Sequence, residues 1–550
     1  MGDALAPGLD PSSPYSRHIV ARFSDFVNPA APWPRRLWDI GTFLALEEIY
    51  EAGIWLDRHV LSATTISWLR HNLTFHLGRD TAFGTPPIRR QLTQCLGSDL
   101  SLHSDGRRRL RYLIDMARPE YLDRLAEEVA SDDPPGPERT ARATASHLLD
   151  SGYSSATLRR WFEGKAGLSA AELLSEAASL DHTPPQLFHI WVSCTGLPKV
   201  HELDNPLPNF CFHSDLPQTL ADHLQQQARR PLIGAFSYSI QARDADRAVE
   251  VVADVLERIR ARTRFAGLYG ERVFTAEYAF VESEHRFVKI HIPDRGAEIM
   301  SLVAGGQLLA VDAAEAFEAQ RHALDDALDL AAPVNSGSVA PAITGAWAAL
   351  EALLTDAQDT DQTEGKVAAA TRAARLAACS WPRAELTALS YNVDSKGPGG
   401  TALARSLSTA PTNRDRAELV AIYLQQSHGL PLKRSWRLQG DVAAVSRMNK
   451  LIANPSQQLT EVSGYIEASF RRMYRCRNVI IHGGSTRSDV LERTLRVVAP
   501  LVGATLDRLA HAYLALSIEP LKLATRADMA IQLASDPVMG FKLVDLLGNQ

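Results

Sequence analysis

The sequence predicts a mainly α-helical, multidomain protein with one small α+β unit in its middle. Three observations carry this prediction. The chain has 550 residues, several times the roughly 150 residues of an ordinary domain. Apolar residues recur at three- and four-residue spacing before about residue 220 and again after about residue 340, as amphipathic helices require. Between these stretches, strand-like runs flank a single helical run. Hydrophobic residues make up 45% and charged residues 22%, which excludes a wholly disordered, collagenous or fibrous chain.

Residues 1–35 read as an irregular lead-in that ends in the proline-rich residues 29–34. Residues 36–230 form a helical N-terminal region. Trp38, Phe43, Leu44 and Leu46 to Ile49 recur at roughly helical spacing, as do Leu110, Leu113 and Met116. Residues 131–139 hold three prolines beside acidic residues and read as a loop. Residues 146–162 read as two helices around a turn at residues 150–154. An ordinary hairpin with Leu148, Leu149 and Leu158 inward is the favoured reading. The competing reading is a helix-turn-helix whose second helix carries Arg159 and Arg160 into a DNA groove.

Residues 231–335 form the α+β unit. Residues 231–240 read as a strand with Phe236 and Tyr238 on one face. Asp244 opens an amphipathic helix whose apolar side holds Ala248, Val251, Val252, Val255, Leu256 and Ile259. Residues 272–281 and 285–292 read as a hairpin, giving the order β-α-β-β. No Gly-rich phosphate loop stands at the strand-to-helix junction, so a nucleotide-binding fold is not expected. Residues 336–520 return to helices, over 343–354, 365–379, 386–393, 415–425, 463–481 and 489–515. Residues 396–400 lack the Gly-Lys-Ser/Thr ending of a Walker loop and read as a flexible loop. Residues 521–550 read as a tail.

There are 58 Lys and Arg against 64 Asp and Glu, a net charge of -6. A uniformly basic nucleic-acid binder is excluded, but a local basic patch is not. Five scattered cysteines without a C-x-x-C pair argue against a disulfide framework or a cysteine zinc site. A reducing cytoplasm is the expected location. The N-terminus lacks a signal-peptide pattern, and no run of 18 apolar residues predicts a membrane span.

The chemistry concentrates between residues 468 and 488, which contain five Arg and no Asp or Glu. Arg471, Arg472, Arg475 and Arg487 are the candidate RNA-phosphate contacts. Arg477, Asn478 and His482 are the candidate catalytic group. Asn478 and His482 are four residues apart and share a helix face. His482 precedes Gly483 and Gly484, a helix stop that leaves it accessible. An imidazole exchanges protons near neutral pH, and a guanidinium holds phosphate oxygens. RNA carries its own nucleophile in the 2′-hydroxyl. The competing reading is a helix-capping His beside solvent-facing arginines. With one His and several Arg, the site is a poor set for Mg²⁺ or Zn²⁺, so no metal or cofactor is expected.

Arg477 to His482 resembles the Arg-Asn-X-X-X-His signature of HEPN domains (higher eukaryotes and prokaryotes nucleotide-binding). Tyr474, Arg475, Gly483 and Gly484 also look like that family's C-terminal region. Trp347 to Leu353 looks like the first helix of its ApeA-like branch. The resemblance spans residues 341–516, about a third of the chain. It implies an all-helical domain that pairs with a second copy, and a metal-independent endoribonuclease with Arg477 and His482 catalytic and Asn478 supporting. It also implies an antiphage or stress effector, a toxin in many relatives and a non-catalytic RNA-binding module in some. The amino-terminal region then becomes the expected sensor of a phage or cellular trigger. Glu351 is expected to pair with the basic helix and Trp347 to anchor packing. Lys433, Arg434, Arg437, Arg447 and Lys450 are expected to form a solvated charged face or to extend the RNA path. Residues 70–76 repeat Arg and His without the Arg-Asn dipeptide or the Gly-Gly exit, and read as an ordinary helix.

Overall fold

A computed structural model describes residues 6–548, apart from 198–206, 266–272, 292–293, 302–305, 307–322, 362–366, 397, 428, 434–439, 487 and 537–541. Its first helix, α1 (Pro14–Val27), begins where the Ser13 side chain accepts from the Ser16 N–H at 3.0 Å. Pro14 opens the helix, where a missing N–H removes no intrahelical bond. The reading of residues 1–35 as irregular is thus corrected: α1 buries Ile19, Val20 and Phe23.

The N-terminal helices continue as α2 (Thr42–Asp57), α3 (Ala63–Arg79), α4 (Pro86–Gly97), α5 (Asp105–Ala117), α6 (Tyr121–Val129), α7 (Pro137–Asp150), α8 (Ser155–Phe162) and α9 (Ala170–Asp181). Leu46, Ile49, Leu73, Leu110 and Leu148 share one core. The expected loop at 131–139 is shorter, because Pro137 opens α7. α7 and α8 form a hairpin with Leu148, Leu149 and Leu158 buried. Arg160 of α8 pairs with Asp246 at 2.5 Å. In residues 70–76, Leu73 faces the core and His71 faces solvent.

The largest correction concerns residues read as helical. β1 (Gln186–Gly196) buries Phe188, Ile190, Val192 and Cys194 on one face, the period of two that defines a strand. β2 (Phe210–Phe212), α10 (Gln218–Gln226), β3 (Gly234–Ala242), α11 (Ala245–Phe265), β4 (Phe274–Val281) and β5 (Arg286–Lys289) follow. The antiparallel sheet has the order β2-β3-β1-β4-β5. The expected β-α-β-β run is therefore the second half of a unit that starts at residue 186. Phe236 and Tyr238 pack against Ala248, Val252 and Leu256 of α11 as one cluster.

The C-terminal bundle comprises α12 (Ala323–Ala331), α13 (Val339–Leu354), α14 (Ala368–Ser390), α15 (Pro398–Thr409), α16 (Asn413–Ser427), α17 (Gly440–Ala453), α18 (Pro455–Ile481), α19 (Asp489–Leu516) and α20 (Pro520–Leu533). Two expected helices, 365–379 and 386–393, are one α14 that runs through Pro382. Of the expected loop at 396–400, residues 398–400 instead open α15, and residue 397 lies outside the described residues. Gly400 lies directly against the Asp394 carbonyl and leaves no room for a side chain. The expected tail is also corrected, since Leu523, Ala527, Leu546 and Leu547 belong to the bundle core.

The N-terminal region and the bundle share apolar and ionic contacts. Trp38, Ile40 and Leu44 lie in the bundle core. Arg35 pairs with Glu385 and Asp441 at 2.7 Å each, and Arg447 with Glu385 at 2.7 Å. Arg447 thereby leaves the expected charged face. Lys433 donates to the Tyr391 carbonyl at 2.8 Å, Lys450 is exposed, and Arg434 and Arg437 lie outside the described residues. Among the described residues, no helix is long and apolar enough to cross a membrane.

Candidate active site

α18 carries the motif in its last turns. Its face toward the bundle buries Phe470, Met473 and Cys476. Its carboxyl end is set by His482, whose N–H donates to the Asn478 carbonyl at 2.9 Å. Gly484 then takes φ 63°, a left-handed conformation that glycine adopts without a Cβ clash.

Three expected catalytic residues come together. Arg477 Nη1 donates to Asn478 Oδ1 at 3.0 Å and lies 3.4 Å from His482 Nε2. Asn478 is buried, Arg477 is partly exposed and His482 is exposed. Arg477 Nη2 stands 4.0 Å from Glu351 Oε2, a long ion pair of the expected kind. Trp347 is fully buried, with its ring 4.9 Å from that of Tyr474, so it anchors packing.

The expected phosphate contacts divide. Arg471 is partly exposed, accompanied by Glu467 at 2.7 Å, and stacks its guanidinium 5.3 Å from the Trp68 ring centre. Arg472 and Arg475 are each only 4% exposed. Both donate to the buried Glu48 of α2, Arg472 at 2.9 Å and Arg475 at 2.8 and 2.6 Å. Both expected phosphate contacts are thus engaged by Glu48, because burying a cation demands a partner. Burial pushes the Glu48 carboxyl up, but the two guanidiniums outweigh this and hold it below its ordinary value. Arg487 lies outside the described residues.

The motif opens into a cleft of about 870 Å³. One wall is α18, with Arg471, Tyr474, Arg475, Arg477, Asn478 and His482. Glu351 of α13 also lines it. Most of the rest of the lining comes from the corner between α2 and α3, Leu56 and residues 59–65, and from Trp68. Three guanidiniums line the cleft, Arg475 held by Glu48, Arg471 accompanied by Glu467 and Arg477 4.0 Å from Glu351.

The α2–α3 corner is what the sequence reading missed. Glu47 and Glu48 both interrupt the apolar run from Phe43 to Ile49, and only the fold shows that Glu48 is the buried one. His59 follows the end of α2 at φ 56°, where a non-glycine residue costs about 1–2 kcal/mol. Chemically, the cleft offers imidazoles for proton transfer, a guanidinium for phosphate and an amide to orient them. No protein-family model matches this chain, and no curated protein or solved structure matches it either.

Proposed function

We propose that the chain is a metal-independent endoribonuclease of the HEPN type that acts in cytoplasmic defence or stress. One observation carries this reading: Arg477, Asn478 and His482 converge within hydrogen-bonding reach on the wall of an open cleft that Arg471 also lines. The 2′-hydroxyl of RNA attacks its own phosphodiester. His482 exchanges the proton, and Arg477 offsets charge that grows on the phosphate oxygens. Asn478 fixes the Arg477 side chain through its amide oxygen. One Arg–His pair supplies one imidazole and one cation. A second proton-transfer group must come from a second copy of the chain or from the cleft's other wall.

The N-terminal region forms that other wall, which supports a role for it in sensing a phage or cellular trigger. A DNA-binding role for α8 gains less support, because Arg160 is engaged by Asp246. Incubating the purified full-length protein with total RNA in excess chelator tests the reading. Fragments ending in 2′,3′-cyclic phosphate are expected. Binding without cleavage would favour a non-catalytic RNA-binding protein. Activity that disappears in chelator and returns with Mg²⁺ would contradict metal independence.

A further inference from the structure

A second cavity, of about 430 Å³, lies where the N-terminal region, the α+β unit and the bundle meet. Phe26, Leu37, Leu149 and Tyr153 give it an apolar wall, to which Val251 of α11 and Val339 of α13 add. Its volume is that of a small-molecule site, and such sites favour junctions between domains. It shares no lining residue with the cleft beside the motif.

The acids of this cavity are engaged. Asp254 pairs with Arg258 at 2.6 Å, and Glu250 and Glu492 share Arg247. Asp246 is held by Arg160 and Arg286. Asp294 accepts from the Gly296 N–H at 2.8 Å. Two further lining cations have acids beside them: Arg496 pairs with Asp150 at 2.6 Å, and Arg493 stands 3.8 Å from Glu492.

Arg36 and Arg295 differ, because main-chain carbonyls alone hold them. Arg36 donates to the carbonyls of Ala31 at 2.8 Å, of Arg295 at 3.1 Å and of Pro29. Its guanidinium is seated against Gly296, where an added Cβ would collide with it. Arg295 Nη1 donates to the carbonyls of Val334 at 2.8 Å and Gly337 at 2.9 Å, while its Nε and Nη2 make no hydrogen bond among the described residues. No described carboxylate lies within 4.0 Å of either guanidinium. Burial pulls both below their ordinary value, and more distant acids only partly offset this. Carbonyls orient a guanidinium but leave its charge uncompensated, and a cation drawn from water gains from an anion. Arg22, Arg35, Arg447, Arg472 and Arg475 have their carboxylates built into the fold. For Arg36 and Arg295 the fold supplies none.

We propose that this cavity binds a small phosphate monoester, with its phosphate on Arg295 and Arg36 and its apolar body against Phe26, Leu37 and Tyr153. A planar guanidinium offers paired donors that match phosphate oxygens. Lys289, exposed on the same cavity, adds a further cation.

Equilibrium dialysis of the full-length protein against inorganic phosphate and against phenyl phosphate tests the assignment. Saturable binding is expected, with phenyl phosphate the tighter probe. Arg295→Gln and Arg36→Gln should each weaken phenyl phosphate by about tenfold or more. Arg229→Gln, which alters the exposed Arg229–Glu277 pair on the sheet, should not. In wild-type protein, phenyl phosphate should protect Arg36 and Arg295 from modification by phenylglyoxal, read by peptide mass; this measurement needs no variant to fold. The proposal is overturned by absence of saturable binding at millimolar phenyl phosphate, by equal affinity for the two probes, or by wild-type binding in folded Arg36 and Arg295 variants. It is also overturned if both arginines stay unprotected, or if Arg477→Gln loses binding while Arg295→Gln keeps it.

Discussion

Arg475 and Glu48 are 427 residues apart in sequence, and Arg475 Nη2 lies 2.6 Å from Glu48 Oε1. Arg472 reaches the other oxygen of the same carboxylate at 2.9 Å. This junction holds α2 against the motif helix and so sets the distance across the cleft.

Glu48→Gln should strand two buried guanidiniums. Removing one partner of a buried pair typically costs about 3–5 kcal/mol. Urea unfolding of the variant should show a loss of that order. Glu48→Gln combined with Arg475→Gln should lose less than the two single variants added together. A loss below about 0.5 kcal/mol, the level of an ordinary surface change, would show that the junction is not stabilising.

His482→Ala should leave the thermal midpoint nearly unchanged, because the imidazole is exposed and truncating it opens no cavity. Surface changes of this kind stay within about 0.5 kcal/mol. RNA cleavage should disappear. A variant that still cuts, or that simply unfolds, would remove His482 from the chemistry.

The junction around Glu385 should make the protein sensitive to acid. Burial pushes this carboxyl up, but Arg35 and Arg447 overcome that and bring it down to about 2 from an ordinary 4.5. The folded-state value lies below the unfolded one. The stabilisation is therefore complete above about 4.5 and is lost as pH falls through 2. Linkage gives a contribution of about 3 kcal/mol. Urea midpoints measured from pH 2 to 7 should fall steeply on the acid side. Glu385→Gln should be less stable at pH 7 and show a shallower acid slope. An unchanged slope would assign the acid response to other carboxylates.

Thiol reactivity should distinguish one cysteine from the other four. Cys95, Cys194, Cys379 and Cys476 are buried, and Cys211 is partly exposed. Burial pushes Cys194 up to about 11 and Cys476 up to about 12, which disfavours the reactive thiolate. A maleimide should label Cys211 first in native protein and all five sites only after unfolding. Rapid labelling of Cys476 would mean that α18 is not packed as described.

The helices and the motif were legible because they depend on local pattern. Three- and four-residue periodicity marked residues 463–481 and 489–515, and α18 and α19 occupy both spans. Asn478 and His482 were placed on one face by spacing alone. β1 was missed although Phe188, Ile190, Val192 and Cys194 alternate as a strand requires, because its partners β3 and β4 lie much later in the chain. Pro14 disguised α1 in the same way. Proline reads as a breaker until its place at the first helical position is known.

By itself, the sequence determined the mainly α class and the presence of Arg477, Asn478 and His482 at the end of one helix, since short-range spacing decides both. Only the tertiary structure decided which arginines are committed to a buried partner. Arg471, Arg472 and Arg475 are alike in composition, yet Glu48 draws the last two inward and leaves Arg471 at the rim. A charge's role depends on what lies within a few ångströms of it, and for α18 those neighbours come from the first tenth of the chain.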